Sequence, residues 1–152
     1  MKAVVDTNVI VHGRGSYAFD TALMVPEVLE EIKSSKGRNN LRNLKYEVRT
    51  PSEKILGKVR SKSDEINSPT SDEDEKLLAL AVQTGHTLVT DDKPLQNLAL
   101  HLEADFEGFL DLGTDEKYRW ELNCSNCGRK VTGSRCSRCG SNPDRRRVRC
   151  NS

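Results

Sequence analysis

The first 123 residues of this chain contain no cysteine, so disulfides cannot staple the larger part of the molecule. Nor does any apolar run approach the ~20 residues that a membrane-spanning helix requires. Aromatic residues make up only 5%, with a single tryptophan, Trp120. Met1-Lys2 leads straight into Ala3-Val4-Val5, with no signal-peptide pattern, and a reducing, cytoplasmic setting is expected. No internal repeat stands out beyond two Cys-x-x-Cys knuckles.

Those knuckles hold four of the five cysteines, as Cys124-x₂-Cys127-x₈-Cys136-x₂-Cys139. Each pair can turn two thiolates toward one point, and two pairs complete a tetrahedral four-sulfur zinc site. Gly128 and Gly140 follow the pairs, where the chain must fold back tightly. The alternative is a pair of disulfides, which the cysteine-free remainder disfavours. Cys150 is left without a role. The expected organisation is a globule over residues 1–110, a linker over 111–117 and a zinc ribbon with a basic tail over 118–152. So small a module buries little apolar surface, and its folding must draw on the metal.

A net charge of +1 conceals a strong segregation. Residues 33–62 carry ten Lys/Arg against two Glu, and residues 124–152 eight against one Asp. Between them, residues 63–123 carry fifteen acids against four bases. Two basic blocks around an acidic centre suit a polyanion gripped on either side of a metal-binding cleft. Arg145-Arg146-Arg147-Val148-Arg149 adds guanidinium groups, which fit phosphate better than lysine does.

Strands are expected at Lys2–Asp6, Met24-Val25, Tyr46–Arg49, Thr87–Thr90 and Phe106–Leu110. Helices are expected over 16–23, from Pro26, from Pro51 to about Lys62, from Ser71 to Gly85, and from Pro94 to about Leu102. The polar stretches 34–43 and 63–70 read as loops, the first of them mobile. Trp120 is placed beside the zinc knuckles. This alternation predicts an α/β fold, a parallel sheet with helices on both faces.

Ligands in such a sheet collect beyond the carboxyl ends of the strands. Asp6 and Asp91-Asp92 end predicted strands, Glu31 or its neighbour Glu30 follows Met24-Val25, and Asp74 lies in the first turn of a leucine-rich helix. Each has a plainer role available: Asp6 in a turn, Glu31 as a solvated charge, Asp74 in a capping box with Ser71, Asp92 as a helix cap. Together they gather four acids at one rim, where carboxylates either take up protons or hold cations. Hard Mg²⁺ or Mn²⁺ suits oxygen donors, and the chemistry that follows is hydrolysis of a phosphodiester. Gly13-Arg-Gly15-Ser-Tyr-Ala18 matches a dinucleotide-binding pattern but begins too far past its strand. The three histidines show no ligand spacing.

Val4-Val5-Asp6-Thr7-Asn8, Val28-Leu29-Glu30-Glu31-Ile32, Ser71-Asp72-Glu73-Asp74 with Leu77-Leu78-Ala79-Leu80-Ala81, and Leu88-Val89-Thr90-Asp91-Asp92 resemble the ordered motifs of PIN-domain nucleases. With the four-cysteine ribbon and basic tail, the whole chain is similar to the Nob ("Nin-one-binding") ribosome-biogenesis endonucleases in their compact archaeal form. The resemblance implies a PIN-like sheet and a single-strand-specific endoribonuclease that matures the 3′ end of small-subunit ribosomal RNA within the pre-small ribosomal subunit. It assigns the acids to Asp6, Glu31, Asp74 and Asp92, with Asp91 assisting and Asn8 and Thr90 orienting the site. Glu31 is preferred to Glu30 because an apolar residue follows the family's acid.

Asp6, Asp74 and Asp92 are expected to hold one or two Mg²⁺ or Mn²⁺ ions, with Asp91 a candidate further ligand and Glu31 a ligand or water-orienting base. Arg38, Arg42 and Lys45 would track the RNA backbone, and Arg129, Lys130, Arg135 and Arg138, with the Arg145–Arg147 tail, would grip a flanking helix or loop. So few aromatic residues predict that phosphate contacts outweigh base stacking. The competing readings are a non-catalytic RNA-binding assembly factor, a toxin-type PIN ribonuclease with another RNA target, and a zinc-ribbon transcription accessory protein.

Overall fold

The computed structural model describes residues 2–12, 19–110, 117–124, 127, 130–131 and 143–150. The first strand, β1 (Lys2–Val5), has three residues with no exposed surface and runs into a short helix, α1 (Thr7–His12). The chain continues through β2 (Thr21–Met24), α2 (Pro26–Glu31), α3 (Ser35–Arg42), β3 (Lys45–Val48) and α4 (Glu53–Glu65). It then forms α5 (Asp72–Thr84), β4 (Thr87–Val89), α6 (Lys93–His101) and β5 (Phe106–Glu107). All five strands pair in parallel in the order β3-β2-β1-β4-β5. This is the expected α/β sheet flanked by helices. Because the chain starts in the middle and winds outward in both directions, the winding reverses between β1 and β4, and a crevice opens at their carboxyl ends.

Two expectations fail on this sheet. Residues 21–23, expected in a helix, form β2, while the helix lies earlier, at α1. The cause is burial on both sides: Thr21, Ala22, Leu23 and Met24 are all buried between β1 and β3, so neither helical nor alternating periodicity is visible. Residues 34–43 are not a loop but carry α3. Ser34 caps that helix by accepting from the Gly37 amide at 3.0 Å, and Asn40 donates to the Ile10 carbonyl at 2.8 Å. Gly37 belongs there because a Cβ would lie 3.0 Å from Ile32 and 2.9 Å from the Ser34 hydroxyl.

Helix α5 follows its local signals closely. Ser71 and Asp74 form a reciprocal capping box, Leu77, Leu78, Ala79, Leu80 and Ala81 are buried, and Gly85 ends the helix in the left-handed conformation at φ 72°. A Cβ at Gly85 would meet nothing within 4 Å, so its cost is conformational alone. Gly85→Ala is therefore expected to destabilise the protein by roughly 1–2 kcal/mol, measurable as a lower midpoint in urea at unchanged slope.

Strands β6 (Tyr118–Cys124) and β7 (Pro143–Arg149) form a separate antiparallel pair. Trp120 sits with the main core, only 8% exposed, whereas Cys124 falls in a separate small cluster with Val131. Its amide donates to the Ile66 carbonyl at 2.8 Å, and the Asn67 side chain donates to its carbonyl at 2.8 Å. From α6, Asn97 pairs with both the amide and the carbonyl of Tyr118, at 2.6 and 2.9 Å, as a neighbouring strand would. Large apolar area drives Trp120 into the bigger core, and its backbone partners fix β6 there. No helix among the described residues is long and apolar enough to cross a membrane.

Candidate active site

Asp6 follows β1 directly and is 8% exposed. Its Oδ1 accepts the Val9 amide at 3.1 Å, capping α1, and its Oδ2 accepts the Thr90 hydroxyl. Thr90 is fully buried just past β4. Its amide donates to Glu107 at 3.0 Å, its carbonyl accepts from Gln96 at 2.6 Å, and its hydroxyl accepts the Asp92 amide at 3.1 Å. One threonine thus links the ends of the two strands that flank the topological switch.

Asp92 caps α6, its Oδ1 accepting the Leu95 amide at 3.2 Å. Asp74 closes the α5 capping box, its Oδ2 accepting the Ser71 amide at 3.1 Å. The plain capping roles are real, and the same residues converge. Burial pushes the Asp6 carboxyl above its usual range, against the bonds from Thr90 and Val9, and the charges of Asp92 and Asp91 push it further. Burial likewise raises Asp74, with Asp92 and Asp6 adding to it. Asp6 and Asp74, remote in sequence, therefore both feel the charge of Asp92 at one sheet edge.

Asp91, whose charge also reaches Asp6, has a structural use as well. Its oxygens accept the Phe109 amide at 2.6 Å and the Leu110 amide at 2.9 and 3.1 Å, fixing the chain beyond β5. Asn8 is exposed on α1.

Glu31 ends α2 and accepts the Thr7 hydroxyl at 3.0 Å, one residue from Asp6. That contact belongs to Glu31 and not to Glu30, although both line a cleft of about 780 Å³ with Thr7, Lys33 and Glu73. The cleft does not include Asp6 or Asp74, but Thr7 and Glu73 are their chain neighbours and join it to the same rim.

Glu73 was missed by sequence reasoning. Its Oε1 lies 3.4 Å from the Thr7 hydroxyl, and its pKa is raised to about 8, first by burial, then by its hydrogen bond to Glu31 and the charges of Glu31 and Asp74. Nothing in the helical pattern marks it, since only the arrival of α2 opposite α5 supplies its partner. The sign of its effect on stability follows directly. The folded state holds a proton that the unfolded chain releases near 4.5, so stability falls as pH rises between 4.5 and about 8. Asp6 and Asp74 act in the same direction. Glu73→Gln is expected to flatten, without abolishing, the decline of Tm over that window in metal-free thermal scans.

The donor set consists of carboxylate oxygens, as hard divalent cations prefer, and the mutual repulsion of Asp6, Asp74 and Asp92 is what such a cation would relieve. Among the described residues no three acids, cysteines or histidines already stand in metal-ligating geometry. One oxygen of each aspartate is instead engaged by a backbone amide. In the small sheet, Cys124 is 3% exposed and its sulfur accepts the Cys127 amide at 3.5 Å, the kind of contact that supports a thiolate. Cys136, Cys139, Arg129, Arg135 and Arg138 lie outside the described residues, as does the Gly13–Ala18 stretch. Arg38 and Arg42 are exposed on α3, which packs against α1, and Lys45 opens β3. Lys130 is exposed and bridged to Asn123. Arg145, Arg146 and Arg147 are exposed on β7.

Residues 3–84 match the family model described as the PIN domain of ribonuclease. Endoribonuclease Nob1 of Archaeoglobus fulgidus is 32% identical over 96% of this chain and 91% of its own length. Endoribonuclease Nob1 of Methanocaldococcus jannaschii is 30% identical over 82% of this chain and 64% of its own. Ribonuclease VapC1 of Thermoplasma acidophilum is 31% identical over 90% and 74%. The structure of VapBC2 from Rickettsia felis bound to a promoter DNA fragment superposes with a TM-score of 0.52, covering 71% of this chain and 98% of that one, at 19% identity, a likeness of fold.

Proposed function

The chain belongs to the PIN-domain ribonucleases and, among them, to the Nob1 endoribonucleases, and from that premise we propose that it is a metal-dependent enzyme maturing the 3′ end of small-subunit pre-ribosomal RNA. The observation that carries the metal reading is the convergence of Asp6, Asp74 and Asp92: burial chiefly raises the proton affinity of the first two, the charge of Asp92 adds to both, and the charge of Asp6 adds to Asp74. These three aspartates would hold the ion. Magnesium or manganese bound there would acidify an attacking water and offset charge on the phosphate. Glu31, which accepts the Thr7 hydroxyl, would serve as a further ligand or as the base that orients the water, and Thr90 holds Asp6 against β4. In-line attack by water on the scissile phosphate would leave a 5′-phosphate and a 3′-hydroxyl.

In this reading residues 1–110 are the nuclease, 111–117 the linker and 118–152 a ribbon built on zinc held by Cys124, Cys127, Cys136 and Cys139. Arg38, Arg42 and Lys45 follow the RNA backbone beside α1. Arg129, Lys130, Arg135, Arg138 and Arg145–Arg147 hold a flanking element of the pre-small subunit in the cytoplasm.

The match to a ribonuclease named VapC1 favours a second reading, a toxin-type enzyme with another RNA target. One experiment separates them. A transcript spanning the small-subunit 3′ junction and a transfer-RNA transcript are incubated with the protein, with and without Mn²⁺, and the ends are mapped. Manganese-dependent cleavage at one junction position is expected. Cleavage of the transfer RNA alone would establish the second reading, and cleavage indifferent to divalent ions would remove the metal role.

A further inference from the structure

The register of β6 and β7 sorts their side chains into two unlike faces. Directly opposed residues of an antiparallel pair share a face, and successive residues alternate. Tyr118, Trp120 and Leu122 therefore stand on one face with Arg149, Arg147 and Arg145 opposite them. Arg119, Glu121 and Asn123 stand on the other with Val148, Arg146 and Asp144. Every carboxylate of the two strands falls on that second face, where Arg119 already pairs with Glu121 at 3.1 Å. The first face carries three arginines and no acid.

On this basic face the β6 half is docked to the nuclease core through Trp120, while the arginines of β7 remain exposed. The Arg145 Nε donates to the Asn67 carbonyl at 3.3 Å. The Arg147 guanidinium carbon lies 4.5 Å from the centroid of the Tyr118 ring. A guanidinium packed on an aromatic ring presents a second planar face outward, and unpaired nucleobases stack on such planes. Residues two apart on a strand stand about 6.6 Å apart, so Arg145 and Arg149 flank this plane within reach of neighbouring phosphates.

We propose that Tyr118 and Arg147 form a stacking site for one unpaired nucleobase of single-stranded RNA, with Arg145 and Arg149 receiving the adjoining phosphates. This deepens the proposed RNA reading and takes the identity of the polymer from it. It also amends the expectation from composition: scarce aromatics confine stacking to a chosen position. A duplex, whose bases are already stacked on each other, cannot use the site.

The test is fluorescence anisotropy with the full-length protein, without added magnesium or manganese. The probes are a short labelled single-stranded RNA, the same strand with abasic riboses, and the same strand annealed to its complement. Arg147→Lys keeps the charge and removes the plane. It is expected to weaken binding of the intact strand by roughly 5-fold or more, the scale of one stacked base, and to leave the abasic strand unaffected. Tyr118→Leu should give the same pattern, with circular dichroism confirming its fold. Equal affinity of Arg147→Lys and the parent for the intact strand would overturn the proposal. So would an equal loss on the abasic strand, or a duplex that binds as well as the single strand. These outcomes are independent of the manganese cleavage assay. A protein that cleaves but lacks the stacking pattern loses only the stacking site, and one with the pattern but no cleavage loses only the metal-nuclease reading.

Discussion

Asp6→Asn is expected to lower RNA cleavage by roughly 10³-fold or more while leaving the protein folded and its RNA affinity near that of the parent. The size follows from removing one negative ligand from a site whose charge stabilisation is worth several kcal/mol in the transition state. The fold should survive because Asn is nearly isosteric and its Oδ1 can still accept the Val9 amide. Its amide would face the Thr90 hydroxyl, which must then accept where it had donated. Against that loss stands the removal of a buried charge, and burial is the largest influence on Asp6. The charge effect should prevail near neutral pH, so Tm is expected to be unchanged or higher at pH 7. The advantage should shrink as pH falls and Asp6 in the parent takes up its proton. Cleavage assays in Mn²⁺ and thermal scans at two pH values check both halves. A variant that still cuts would dismiss Asp6 from the chemistry.

Trp120→Ala carries the largest expected effect on stability. Truncating a large, nearly buried aromatic side chain costs about 3–5 kcal/mol, and for a chain of this size roughly 2–4 °C of Tm accompany each kcal/mol. A fall of roughly 6–20 °C should therefore appear in thermal circular dichroism. Trp120→Phe should recover most of it, because shape and apolar area matter here and the backbone bonds to Ile66 and Asn67 persist. Were Trp120 lodged in the ribbon instead, its loss would leave the main transition in place. The same substitution should loosen the small sheet from the nuclease body and displace the β7 arginines.

The fold class and the helix caps were legible along the chain. Asp74 and Asp92 are legible because helix caps are local: Ser71-x-x-Asp74 and Asp92 before Pro94 announce helix starts within a few residues. Gly85 marks an end for the same local reason. The acids recur in an order that resembles a known family, whose model matches residues 3–84. What local signals could not convey is burial on both sides of a strand, which erased the pattern of β2, or a helix such as α3 held by a glycine contact and by Asn40 reaching the Ile10 carbonyl.

The sequence by itself determined where helices α5 and α6 begin, which residues are acidic, and which segments are basic. Only the tertiary structure decided that the chain starts in the middle of its sheet, placing Asp6 beside Thr90 across a separation of 84 residues. It alone brought Glu73 against Glu31, drew Trp120 into the larger core, and set Arg147 on Tyr118. The reason is physical: capping and turn chemistry act over a few residues, whereas strand order and register are chosen by burying the most apolar surface across the whole chain.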